Sequence, residues 1–239
     1  VNTLTEAHPR PVEPGAAIPG LLDAEQRQRM FRALMTALAE PGRITRLSAG
    51  PVPNPTVEAE SPAIEAESPA VEAESPAVAA ESFAPVAAPL LVLADLLTPV
   101  AATDEGAAAD LRRIAARTRA PLTRLDRARF VLAYAPIAGT DLAALDAGTA
   151  LRPHTASMLC QQVEQLSTDP ATPTAATWTL RGPGIDGTTT VGVTGPDVGF
   201  VAARAAVTAD FPRGVDMFLI STAGDVLGLP RTTRIEVTR

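Results

Sequence analysis

Lysine does not occur in this sequence: all 20 of its basic residues are arginine. A guanidinium cannot replace a primary amine, so a pyridoxal-phosphate Schiff base, a P-loop phosphate lysine and a Ser-Lys dyad are all excluded. Cysteine is nearly absent as well. The single thiol, Cys160, has no intramolecular partner, and with only His8 and His154 beside it the chain lacks a zinc-type Cys/His cluster, so no metal is expected. Aromatic residues make up 3% of the chain, and the core must therefore be filled by Ala, Val, Leu and Ile, which the 46% hydrophobic content supplies. No apolar run is long enough to span a bilayer, and the opening residues carry no export pattern, so a cytoplasmic protein without a membrane partner is expected. No basic stripe with interleaved aromatics points to nucleic acid.

The net charge of −7 comes from one segment. A seven-residue unit, Glu-Ser-Pro-Ala-Val/Ile-Glu-Ala, begins at Glu60, recurs at Glu67 and decays at Glu74 and Glu81. The stretch carries Glu58, Glu60, Glu65, Glu67, Glu72, Glu74 and Glu81 and no arginine; removing those seven leaves acidic and basic residues equal, at 20 each. A heptad invites a coiled-coil reading, but Pro62, Pro69 and Pro76 interrupt it once per repeat, at about 3 kcal/mol or more each in a helix interior. Residues 53–85 therefore read as a disordered, extended insertion, and residues 1–20, rich in Pro and Gly, as a flexible leader. The remainder, 21–239, reads as a single α/β domain.

Within that domain two periodicities alternate. Residues 23–39 place Phe31, Leu34, Met35 and Leu38 on one helical face, with Asp23 as N-cap and Pro41-Gly42 as the stop. Strands are predicted over 43–47, 130–135, 158–166, 177–181, 188–194, 215–222, 226–229 and 234–237. Helices are predicted over 90–97, 107–119 and 198–209. This mixture predicts a three-layer α/β/α arrangement around a mixed sheet.

The candidate chemistry is sparse. Gly182-Pro-Gly184-Ile-Asp-Gly187 satisfies G-x-G-x-x-G, but Thr188 to Val191 follows it as a strand, whereas a dinucleotide fingerprint opens a helix; a hairpin loop is expected. His154, Ser157 and Cys160 lie too far apart along an extended segment to pair as base and nucleophile, and no elbow surrounds the serine. Arg112, Arg113 and Arg117 read as a solvated helix face. The segment Pro230-Arg231-Thr232-Thr233-Arg234 offers two guanidinium groups and two hydroxyls that could clamp a phosphate or phosphonate. Alternatively, Arg231 pairs with an acid such as Asp216. Asp216 and Asp95 are expected to be supporting residues.

Five segments carry a resemblance: Phe31 to Gly42, Leu93 to Val100, Leu180 to Ile185, Phe211 to Asp216, and Leu229 to Thr233. In order and character they resemble PhnH of the bacterial carbon-phosphorus lyase system. The resemblance implies phosphonate catabolism, in which PhnH works with PhnG, PhnI and PhnL to place an alkylphosphonate on the ribose of ATP with loss of adenine. It implies a fold similar to the large domain of pyridoxal-phosphate transferases without the cofactor, in keeping with the missing lysine. It also implies a homodimer within a larger complex with PhnG, PhnI and PhnJ. The resemblance carries over no catalytic residue, and the Glu-Ser-Pro-Ala repeat departs from its pattern. Outside the family, the remaining alternative is a free-standing phosphate-ester or phosphonate binding domain.

Overall fold

Asp23 starts the first long helix as the sequence requires. Its carboxylate accepts from the Gln26 amide at 2.7 Å while the Gln26 side chain accepts from the Asp23 amide at 3.0 Å, a reciprocal cap that satisfies two helix-end donors. In the computed structural model, residues 18–47, 82–169 and 172–238 are described. In chain order they form β1 (Ile18–Pro19), α1 (Ala24–Ala39), β2 (Thr45–Arg46), β3 (Ser82–Phe83), α2 (Ala88–Leu93), β4 (Val100–Ala102), α3 (Glu105–Thr118), β5 (Phe130–Ala133), α4 (Gly139–Ala144), β6 (Met158–Val163), β7 (Gln165–Ser167), β8 (Ala176–Arg181), β9 (Thr189–Thr194), α5 (Phe200–Val207), β10 (Asp216–Ser221), β11 (Asp225–Leu229) and β12 (Arg234–Thr238).

The expected mixed sheet is present, with six strands in the order β2-β11-β10-β6-β5-β4. The run β10-β6-β5-β4 is parallel, and β11 lies antiparallel to both β10 and β2. Side chains on these strands alternate between two cores, as the pleat demands. Leu132, Cys160, Phe218, Ile220 and Val226 face a cluster built with α1, α2 and α3. Val131, Leu159, Met217, Leu219 and Leu227 face the other side. That second face is only partly helical. Beside α4 and α5 it carries a four-stranded antiparallel sheet, β12-β8-β9-β7, whose Trp178, Leu180, Val191 and Val193 fill the second core.

The second sheet explains one difference from the sequence reading. The strand predicted over 158–166 is split at Glu164: β6 belongs to the large sheet and β7 to the small one. The Glu164 amide donates to Thr194 O at 2.8 Å, so the chain changes sheets without losing a bond. A second difference concerns α1, which buries Met30, Leu34 and Ala37 and leaves Phe31 44% exposed. Closest approach decides this, because the Ala37 carbonyl lies against Gly228 of β11, where a Cβ would overlap it. The helix predicted over 90–97 begins at Ala88 and ends at Leu93, with Leu96 and Leu97 left exposed.

The edges of both segments expected to be loose are ordered. Ile18 and Pro19 pair with Phe83 and Ser82. Phe83 is buried, with the Arg113 guanidinium 4.4 Å and the Arg117 guanidinium 5.6 Å from its ring centre. Two of the arginines assigned to a solvated face thus cover an aromatic ring, while Arg113 also pairs with Asp110 at 2.6 Å and Arg117 donates to Gly20 O at 2.7 Å. The rest of the leader and of the Glu-Ser-Pro-Ala repeat falls outside the described residues.

Candidate functional site

Asp216 opens β10, and the segment after β11 turns back across it. Arg231 meets Asp216 through both ends of its fork: Nε donates to Oδ1 at 3.1 Å and Nη2 to Oδ2 at 2.6 Å, while the Arg231 amide adds 2.7 Å to Oδ1. Arg231 Nη1 donates to Pro153 O at 2.9 Å and Pro212 O at 3.1 Å. Of the two arrangements open for Arg231, the structure has the pairing with Asp216. Gly214 lets the approach happen: its φ is +144°, and a Cβ there would stand 3.1 Å from Arg231 Cβ.

A buried cation that sequence reading passed over completes this turn. Arg204, in the middle of the apolar helix α5, is 2% exposed. Its Nη1 donates to Thr233 O at 2.8 Å and its Nη2 to Pro230 O at 2.7 Å, so one guanidinium holds both ends of the 230–233 turn. These hydrogen-bond partners are neutral carbonyls. Burial pulls the Arg204 pKa down to about 10, the Asp216 charge opposes that shift, and the side chain stays cationic at neutral pH. Its Nε and the Thr233 hydroxyl are both buried and have no hydrogen-bond partner among the described residues. A single arginine inside Phe-Val-Ala-Ala-Arg-Ala-Ala-Val was the available signal, since a charge on an otherwise apolar helix has to be met from outside it.

Between α5, β8 and β12 runs a cleft of about 840 Å³. Arg181, Arg204, Arg231 and Arg234 line it against one carboxylate, Glu236, with Thr232 and Thr233 beside them. Arg234 is exposed at the start of β12. Arg181 is half-exposed and stands 3.6 Å from Glu236.

The glycine-rich loop is a hairpin connection, as expected, joining the antiparallel strands β8 and β9. Gly182 passes so close to the 230–233 turn that a Cβ would lie 2.9 Å from Thr232 O, and at Gly184 a Cβ would overlap the Ala39 carbonyl at the end of α1. Four of the five segments singled out in the sequence thus touch one another here. The fifth stands apart: Asp95 accepts from the Leu97 amide at 2.9 Å and the Thr98 hydroxyl at 2.7 Å, closing an exposed turn. The Thr98 bond, followed by that of Leu97, lowers the Asp95 pKa.

His154, Ser157 and Cys160 do not converge. His154 is exposed in a short 3-10 turn, the Ser157 hydroxyl donates to Ala128 O at 2.6 Å, and burial pushes the Cys160 thiol well above its ordinary range. At the carboxyl ends of β5 and β6, where open α/β sheets commonly take ligands, the polar groups are tied to one another. Gln161 spans Ile137 N at 3.0 Å and Ala135 O at 2.9 Å, and Tyr134 donates to Asp110 at 2.6 Å.

Against known proteins, residues 21–236 match the family described as bacterial phosphonate metabolism protein (PhnH). The chain belongs to the PhnH family. It is also 30% identical over 230 residues to HtxG of Stutzerimonas stutzeri, described as a C-P lyase subunit, across 94% of this chain and 93% of that protein. The family's description is of bacterial phosphonate metabolism, and the turn holding Arg231 and Asp216 lies within the matched region.

Proposed function

We propose that this PhnH-family protein acts in assembly or substrate positioning within a carbon-phosphorus lyase complex. On this reading it is required, with PhnG, PhnI and PhnL, for forming ribose 1-phosphonate 5-triphosphate from ATP and an alkylphosphonate. It would do so as a cytoplasmic homodimer bound to PhnG, PhnI and PhnJ. The observation that carries the reading is the use of the reactive side chains. Arg231 is spent on Asp216, Ser157 on a carbonyl and Cys160 on the core, so no base and nucleophile meet among the described residues. Groups locked in this way hold a shape for a partner to use. The parallel run β10-β6-β5-β4 with helices on both faces supports kinship with the large domain of pyridoxal-phosphate transferases, in a three-layer form. Among the described residues no helix is long and apolar enough to cross a membrane.

The test is co-expression with PhnG, PhnI and PhnJ, followed by purification on a tag carried by PhnI and an assay with PhnL, ATP and methylphosphonate. Co-purification, with turnover only in the presence of this chain, supports the reading. Turnover by the chain alone, or its absence from the purified complex, overturns it. The cationic cleft favours a second reading, a free-standing phosphate-ester or phosphonate binding domain. That reading predicts ligand binding without co-purification.

A further inference from the structure

We propose that the outer edge of β12, together with the cleft between it and α5, is a docking surface for an extended segment of a partner subunit, added as a further strand, in which acidic and apolar residues alternate. The inference rests on the assembly reading and names the surface and the kind of segment that would use it.

The strand edges come first. A strand that ends a sheet presents main-chain N–H and C=O groups that pair with no other strand, and proteins keep such edges short or covered. Among the described residues, three of the four ends of the two larger sheets follow this rule. β2 has two residues and β7 three, while β4 is bordered by 121–123, where the Val100 amide donates to Pro121 O at 2.9 Å and the Thr123 amide to Val100 O at 2.9 Å. β12 does not follow it. Its five residues give an edge of about 17 Å, contain no proline, and pair with β8 on one side and with no strand on the other. α5 forms the opposite wall of the cleft through Val201, Ala205 and Thr208, leaving about 840 Å³ between them.

The pleat of β12 sorts the side chains that an added strand would meet. Ile235 pairs with Leu180 and Val237 with Trp178, whose side chains fill the second core, so Ile235 and Val237 lie on the core side of the small sheet. Val237 is nevertheless 48% exposed, and its apolar surface is continuous in character with the Val201, Ala205 and Phe211 side chains of the cleft. The outward side is cationic. Arg234 stands directly opposite Arg181 in the ladder, a like-charged pair offset only by Glu236 at 3.6 Å from Arg181, and no carboxylate pairs with Arg234 among the described residues. An acidic residue on an adjoining strand would relieve that repulsion, and the apolar residue beside it, turned to the other face, would cover Val237 and the α5 wall. A small anion would meet the arginines and leave the strand edge unpaired; an extended segment satisfies both.

The experiment titrates the purified full chain against a complex of PhnG, PhnI and PhnJ and follows hydrogen exchange in the free and bound chain. Main-chain amides within 234–238 that exchange readily in the free chain should become protected on binding. Ala205→Trp, which fills the cleft from α5, and Arg234→Glu should each weaken binding tenfold or more. Both positions are exposed, so these variants should melt like the parent. Val198→Trp, on an exposed residue outside the cleft, should bind as the parent does. No binding by the parent chain overturns the assembly reading and this inference with it. Parent binding that both cleft variants leave unchanged, or that leaves 234–238 unprotected, overturns the inference alone. So does a dimer of the free chain that the same two variants break, which assigns the edge to a second copy.

Discussion

Asp216 and Arg231, fifteen positions apart, are joined by three hydrogen bonds, one from the Arg231 main chain and two from its guanidinium. The pair sits where the 3-10 turn at Pro153, the Pro212 segment and the 230–233 turn meet, because Arg231 also donates to the Pro153 and Pro212 carbonyls. Three separate stretches of chain are thus referred to one carboxylate.

Arg231→Ala should cost about 3 kcal/mol of folding stability, the scale on which stranding one member of a largely buried pair is felt. Arg231→Lys should recover little, since an ammonium cannot reach both oxygens and two carbonyls from one fork. Denaturant unfolding of both variants and of Asp216→Asn checks this, and a double mutant should show strong coupling between the two sites. Arg231→Ala with unchanged stability would return Arg231 to the list of ligand candidates.

The glycine-rich loop should respond unequally along its length. At Gly184, with φ +83°, an added Cβ overlaps the Ala39 carbonyl, so Gly184→Ala combines a left-handed backbone penalty with a clash and should cost roughly 2 to 5 kcal/mol. Gly187 has φ +66° with nothing within 4 Å, so Gly187→Ala should cost only about 1 to 2 kcal/mol, and Gly187→Asn less. Equal losses at the two positions would contradict the packing role assigned to Gly184.

Local signals were legible where short-range chemistry settled them. The Asp23 cap, the hairpin at Gly182–Gly187 and the strand β10 all follow from neighbouring residues. What was not legible depends on contacts between distant segments. The split of one apolar run into β6 and β7 depends on a second sheet that local periodicity cannot encode, and the burial of Arg204 depends on three carbonyls 25 to 29 positions away. The arginines of 230–234, read in the sequence as phosphate or phosphonate-binding candidates, differ in their surroundings. Arg231 pairs with Asp216, Arg234 lines the cleft, and the buried charge beside them, Arg204, comes from a helix that the sequence predicts but whose single arginine it does not mark as buried.

Tyr134 is the only tyrosine in the chain, which makes its titration readable. Burial, then the hydrogen bond and charge of Asp110, raise its pKa far above the ordinary value near 10. A phenol raised in this way contributes stability that is complete below the unfolded value and is lost as pH climbs past it. Native protein should therefore show no phenolate absorbance around pH 10, and the signal should arrive only together with alkaline unfolding. Protein unfolded in urea should titrate near 10. Phenolate formation at pH 10 with an intact circular dichroism spectrum would contradict the Tyr134–Asp110 bond.

The boundary of the Glu-Ser-Pro-Ala insertion can be tested by where a deletion stops. Residues 53–81 carry the repeat, whereas Phe83 is 2% exposed, packs beneath Arg113 and belongs to the pairing with Ile18. Replacing 53–80 with a short Gly/Ser linker should leave the melting temperature nearly unchanged, since each doubling of loop length is worth only about 0.6 kcal/mol. Extending the deletion through Ala84 removes Phe83 and both residues of β3, and should cost about 3 to 5 kcal/mol, as truncating a buried phenylalanine does. For a chain of this size that is a fall of roughly 6 to 20 °C. Phe83→Ala in the full-length protein should account for most of that loss, which separates the ring from the rest of the deleted segment. If both deletions melt alike, the β1–β3 pairing contributes nothing to stability; if the shorter one already fails to fold, the repeat itself is structural.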